Sequence, residues 1–397
     1  MSESRGSGWK RLNREHMVLV ALLTLVPLTF LGAELAWPAP LQFFLAVGAV
    51  IPLAGFIGAA TEALAESLGT KVGGLLNATF GNAPDLLVGI FGVQRGLIPL
   101  VKATLVGAMI SNSALIMGLC YIVAGLLHRR PRFKRDEAGH HSVLMMLTLA
   151  AVLFPSVAVF GGCPASRACV TSGGTVLHIS VGIAVVLLLA YVAYVLYGIF
   201  GIEWLRRDGN GRDVQFLADQ ASSGEGPGWP LWVSLLVLAL ATAALIPVTD
   251  ILTASVVPVT AVLGWTQVFV GMIIVANAGN VAEGYAAVRF AAVKPPEPDP
   301  ESGRGSGLDL ALGIASASSI QIATFVAPLV VIYSLFGHSM SLVFSPVEIA
   351  ILGLLVIIFA YIAHDGESNW LEGAQLLALY AMAAIVFFAL PVSAFHV

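Results

Sequence analysis

Apolar runs of about 20 residues, the length a helix needs to cross a hydrocarbon core, recur along nearly the whole chain. They fall at 17–36, 41–65, 72–93, 98–127, 142–160, 177–200, 230–249, 264–289, 308–335, 347–363 and 371–391. The pattern predicts an all-α integral membrane protein with about eleven transmembrane helices. The fifth and seventh runs are less regular, because Pro155 and Pro247 fall inside them. Two connections stand out. Asp208–Trp229 and Lys294–Gly307 are rich in Gly, Pro, Ser and charge, which favours solvated irregular backbone.

Lysine and arginine in the connections set the orientation. Arg5, Lys10, Arg11 and Arg14 precede the first run, and Arg129, Arg130, Arg132, Lys134 and Arg135 follow the fourth. Arg206, Arg207 and Arg212 follow the sixth, and Lys294 and Arg304 the eighth. Threading eleven spans from an inside N-terminus puts all of these on one face and leaves Arg95 and Lys102 on the other. The expected location is a cell (inner) membrane crossed many times, N-terminus cytoplasmic and C-terminus outside. A basic start before an apolar run can imitate a signal peptide. This run is long for one and more spans follow at once, so a retained first helix is expected.

Five is odd, so spans 2–6 and 7–11 enter the membrane in opposite senses. The predicted plan is two inverted five-helix repeats plus one N-terminal helix, an arrangement that places a transport site near the midplane. The expected division is 1–36 for the basic N-terminus and first helix, 41–200 for the first repeat, 201–229 for a cytoplasmic linker and 230–397 for the second repeat.

Composition agrees. Of 397 residues, 58% are hydrophobic and 11% charged, and the mean hydropathy is +0.91, which excludes a soluble domain. A net charge of −4 suggests no nucleic-acid partner, leaving the lipid bilayer and a small solute. Three cysteines without a CxxC pair exclude a disulfide scaffold. Cys120 reads as a packing residue, whereas Cys163 and Cys169 share the short loop GGCPASRACVTSGG, where a local disulfide stays open.

Against this apolar background the polar residues are conspicuous. Asn77, Asn82 and Asp85 lie inside the third run; Asn277, Gly279, Asn280 and Glu283 repeat the pattern in the eighth. A carboxylate in hydrocarbon costs about 2.5 kcal/mol or more on insertion scales, so two at matched positions call for a function. Asn82 and Asp85, three apart, share one helix face. Gly81 and Gly89 flank Asp85 at four residues and admit a neighbouring backbone, and Pro84 disfavours straight helix across Asn82–Pro84, freeing carbonyl oxygens. The following runs add Ser111 and Asn112, then Ser316, Ser318, Ser319 and Gln321. Carboxylate, amide, hydroxyl and carbonyl oxygens are the donors of a hard cation such as calcium, and no His or Cys joins them to suggest zinc or copper. Once the cation leaves, two facing buried acids favour taking up protons. One shared site used in turn by cation and proton is the chemistry of an exchanger. Glu62 in the second run is a candidate proton relay, while Glu66, Asp309 and the 364–369 segment HDGESN read as membrane-edge groups. Taken singly, each Ser or Asn can equally serve as a hydrogen bond between helices.

These stretches resemble the calcium/cation antiporter superfamily, in particular its calcium/proton exchanger branch. The likeness is carried by IPLAGFIGAATEALAESLG (51–69), GGLLNATFGNAPDLLVGIFGVQRGLIPLVKATLVGAMISN (73–112), GNVAEGYAAV (279–288), DLALGIASASSIQIATFVAPLVV (309–331) and DGESNWLEGAQLLALY (365–380). It covers spans 2–4 and 7–11 well, and 1, 5 and 6 loosely. The resemblance implies sodium/calcium-exchanger-type repeats, alternating access driven by a proton gradient and no enzymatic activity or resident cofactor, with Ca2+ and H+ as cargo. It assigns metal binding and proton exchange to Asp85 and Glu283, with Gly81, Pro84 and Gly279 shaping the helix, and maps the polar partner positions onto Ser111, Asn112, Ser318, Ser319 and Gln321. Asn82 and Asn280 complete the expected ligand set. The chain departs from the family pattern at Asp85 (usually Glu), Gly284 (usually His), Ala108 and Ala317. A shorter acid and a lost hydroxyl leave proton antiport of Na+, K+ or Mn2+ as an alternative, and a passive cation channel as another. An intramembrane hydrolase would need a water-positioning motif that is lacking. Oligomeric state, affinity and stoichiometry stay open.

Overall fold

The structure, a computed structural model, describes residues 14–68, 70–128, 131–133, 135–161, 173–196, 228–293 and 307–390. Both cysteines of the 163–169 loop, most of the 201–229 linker and the basic N-terminus lie outside them. In lipid a backbone must satisfy its own hydrogen bonds, and helices do so within one segment. Accordingly, the described parts of the apolar runs are helical: α1 Val18–Glu34, α2 Ala39–Leu68, α3 Thr70–Phe80, α4 Ala83–Gln94, α5 Ile98–His128 and α6 Arg135–Gly161. Next come α7 Gly173–Val195, α8 Leu231–Leu263, α9 Gln267–Ala292, α10 Gly307–Ser334, α11 Pro346–Asp365 and α12 Trp370–Ala389. Among the described residues eight helices are long and apolar enough to span a bilayer, and three shorter apolar ones accompany them. The nearest thing to a strand there is an isolated antiparallel bridge between Arg132 and Glu367.

Two runs differ from the sequence expectation. The third is two helices, because Pro84 has no N–H to return to Phe80, and the chain turns at Gly81–Asn82. The seventh does not end near residue 249: α8 continues through Pro247 and Pro258 and stops at Gly264, whose φ of 68° favours glycine. This longer helix aligns with α2, since Ile51-Pro52 and Leu68-Gly69 recur as Ile246-Pro247 and Leu263-Gly264.

Corresponding helices of the two halves run in opposite directions. The start of α2 meets the chain just past α8, with the rings of Phe44 and Trp265 6.4 Å apart. Likewise Lys102 near the start of α5 donates to Val343 O at 2.6 Å, just beyond the end of α10. Packing respects this exchange of halves: α2 lies on α8 and α6 on α11, while α5 on α12 is mirrored by α10 on α7. Among the described residues, α2–α7, with α3 and α4 counted as one broken span, therefore stand inverted against α8–α12, with α1 against α2. Helices α5 and α10 form the centre; 83% of the most apolar stretch of α10 is buried, against 22% for α7 at the rim. Small residues let the central backbones meet. A β-carbon on Gly107 would stand 2.5 Å from Met272 Cα, and one on Gly373 would stand 2.5 Å from Gly118 O.

Candidate ion-binding site

The turn at Gly81–Asn82 starts α4 afresh, so Asp85 falls in a helical first turn, where the free N–H groups and the helix dipole favour an anion. Pro84 occupies an opening position that needs no backbone donor. Glu283 comes from the regular α-helical part of α9, Ala276–Ala292. The two motifs face each other reciprocally. A β-carbon on Gly81 would lie 3.0 Å from Glu283 Oε1, and one on Gly279 would lie 3.4 Å from Asp85 Oδ1 and 3.3 Å from Pro84 Cβ. Each acid thus rests against the glycine of the opposite motif. The absence of a side chain at both glycines lets the acids approach closely enough for their charges to interact.

Around this pair the polar positions of α5 and α10 close in. Asn82 Nδ2 donates to Gln321 Oε1 at 2.6 Å, Asn112 Nδ2 to Ser318 Oγ at 2.8 Å and Ser111 Oγ to Asn277 Oδ1 at 2.6 Å. Ser318 lies close enough to Glu283 to influence its carboxylate. Asn82, Asp85, Ser111, Asn112, Asn280, Ser318 and Gln321 are all buried, and Glu283 partly so. Several polar atoms have no hydrogen-bond partner: Asn112 Oδ1, Glu283 Oε2 and the Asn280 amide nitrogen. Buried polar atoms ordinarily pair. Two unpaired oxygens beside a second carboxylate make a donor set suited to a cation. Three π-helical turns, Ser111–Ile116, Val270–Val275 and Ile322–Val326, lie in the helices that carry these groups. Such turns interrupt regular hydrogen bonding and are common at functional sites.

Not every candidate joins this cluster. Ser319 hydrogen-bonds Ser113 Oγ at 3.2 Å and Met109 O at 3.3 Å, so it holds α10 to α5. Ser316 bonds back to Leu312 O within its own helix. Glu62, partly buried on α2, is within electrostatic reach of Arg289 and Glu66. Two participants were outside the expected ligand set. Asn277 belongs to the motif pattern, and Tyr380, which accepts from Asn277 Nδ2 at 2.6 Å, closes the 365–380 stretch that carries the family likeness without standing among the expected ligands. It lies 103 residues from its partner in a helix of ordinary apolar composition.

Inverted helical units around paired intramembrane acids define a polytopic ion transporter. The family described as "Sodium/calcium exchanger protein" matches residues 38–200 and 233–389, and the chain belongs to it. It is 35% identical over 381 residues to the Ca(2+)/H(+) antiporter ChaA of Bacillus subtilis (strain 168), covering 96% of this chain and all of that one. It is 34% identical over 391 residues to a Ca(2+)/H(+) antiporter of Synechocystis sp., covering 96% and 99%. The solved structure of native YfkE superimposes with a TM-score of 0.75 at 33% identity, covering 94% of this chain and 99% of YfkE. The H+/Ca2+ exchanger CAX, at 14% identity and a TM-score of 0.64, shares the fold.

Proposed function

We propose that this protein is a proton-coupled calcium antiporter that exports Ca2+ in exchange for H+ by alternating access. The observation that carries the reading is the reciprocal seating of Asp85 against Gly279 and of Glu283 against Gly81. Two ionised acids neutralise a divalent cation, with Asn82, Asn112, Asn280, Ser111, Ser318 and Gln321 as surrounding oxygen donors. When the cation departs, two protons take its place, so the site crosses the low-dielectric centre without stranded charge. The relatives named as Ca(2+)/H(+) antiporters match this chain over nearly their full length, which supports the same cargo here.

In this reading residues 41–200 and 230–397 are the two repeats, residues 201–229 link them in the cytoplasm, and Glu62 relays protons at the inner end of α2. The N-terminus lies in the cytoplasm and the C-terminus outside, in a cell membrane. No resident cofactor is needed. The test is exchange in sealed vesicles: an imposed pH gradient drives Ca2+ uptake, and collapsing the gradient stops it. Calcium flux that ignores the gradient would instead fit a channel, and a preference for Na+, K+ or Mn2+ in the same assay would change the cargo.

A further inference from the structure

The last helix reaches the ion site through one phenol. Tyr380, half-buried on α12, accepts from Asn277 Nδ2 at 2.6 Å. The same amide nitrogen donates to Ile273 O at 2.6 Å, inside the π-helical turn of α9. A primary amide has two N–H donors, and both are now used. Asn277 Oδ1 accepts from Ser111 Oγ, also at 2.6 Å, and Ser111 is fully buried. A hydroxyl has a single proton. Spending it on Asn277 leaves the Ser111 oxygen with lone pairs alone to offer elsewhere, which is the state a cation ligand requires. Were the amide reversed, its nitrogen would point at Ser111, and one of those lone pairs would be consumed.

We propose that Tyr380 is a positioning residue for the cargo site: with Ile273 O, which can only accept, setting which way the Asn277 amide faces, the phenol holds the side chain in place so that Oδ1 stays on Ser111 and Ser111 presents oxygen lone pairs to the cation. The proposal rests on the antiport reading and extends it to a helix outside the paired motifs. It makes affinity for the cation depend on how α12 sits against α9 and α5. The bond from Asn277 to Ile273 O opposes reversal of the amide whether or not the phenol is present, so loss of the phenol loosens the side chain without turning it over.

The test combines Tyr380→Phe, Ser111→Ala and the double variant, read by equilibrium Ca2+ binding to purified protein and by vesicle exchange. Loss of one neutral hydrogen bond predicts Tyr380→Phe binding Ca2+ about 3- to 10-fold more weakly. KM should rise more than kcat falls, and the melting temperature should stay close to that of the parent. Ser111→Ala should also bind weakly, and adding Tyr380→Phe to it should weaken binding no further, because the tyrosine acts through that hydroxyl. Unchanged affinity in Tyr380→Phe, or effects that multiply in the double variant, would overturn the proposal. A parent protein that binds no Ca2+ would instead overturn the antiport reading, so the two failures are distinguishable.

Discussion

Asn82 donates to Gln321 Oε1 at 2.6 Å although 239 residues separate them. The bond joins the turn that opens α4 to the middle of the central helix of the other half. Both side chains are buried, so neither can exchange its partner for bulk water. Removing either leaves a buried amide unpaired, which costs about 1–3 kcal/mol. Thermal unfolding in detergent should therefore show Asn82→Ala and Gln321→Ala each less stable than the parent. The double variant should lose less than the sum of the two. Additive losses would mean that the bond contributes nothing.

Neutralising either acid should end exchange. Asp85→Asn and Glu283→Gln keep shape and burial but cannot balance a divalent charge or carry a proton, so Ca2+ uptake by vesicles should fall to background while expression and melting are retained. Asp85→Glu keeps the charge and should still transport, with altered preference among cations. Normal uptake by either neutral variant would remove the shared site.

The glycines should differ in sensitivity. Alanine at Gly81 would put a methyl 2.6 Å from Asn77 O and 3.0 Å from Glu283 Oε1, whereas at Gly279 the nearest atoms are at 3.3–3.4 Å. Gly81→Ala should impair exchange more than Gly279→Ala. Gly107→Ala meets the Met272 backbone, which cannot step aside, so it should chiefly lower the melting temperature. Equal transport by the two motif variants would contradict the reciprocal seating.

If cation and protons share the acids, binding one must release the other. Adding Ca2+ to purified protein in weak buffer should acidify the medium, and Asp85→Asn should shrink that release. By the same linkage, Ca2+ affinity should fall as the medium is made more acidic, because protons then compete better for the two carboxylates. A pH-independent affinity would separate proton movement from this pair.

Orientation can be read with single cysteines in a background lacking the three native ones. Phe336, 87% exposed in the α10–α11 connection, should be labelled as cysteine by an impermeant maleimide on intact cells. Arg132→Cys, at a position 80% exposed beside Glu367, should be labelled only after the membrane is opened. The reverse pattern would invert the assignment.

Much of this architecture was legible because its causes are local. The cost of leaving a backbone unpaired in lipid makes the apolar runs helical, so most of them fall on helices with little displacement, the third and the seventh being the exceptions. Pro84 announced the break before α4 because it cannot donate its own hydrogen bond. Pro247 suggested an irregular helix for the same reason, yet α8 continues past it for sixteen residues. Neighbouring helices can re-satisfy the freed carbonyls, and their positions cannot be read from the proline itself.

By itself, then, the amino-acid sequence determined which stretches are apolar helices and singled out the two acids as candidates, since the free energy of a residue in hydrocarbon depends chiefly on that residue. The three-dimensional packing alone decided that Glu283 rests on Gly81, that Ser318 pairs with Asn112 while Ser319 turns to Met109, and that Tyr380 reaches Asn277. Adjacent residues on a helix point about 100° apart. Which of them faces the ion is set by the rotation of the whole helix, and that rotation comes from contacts made hundreds of residues away.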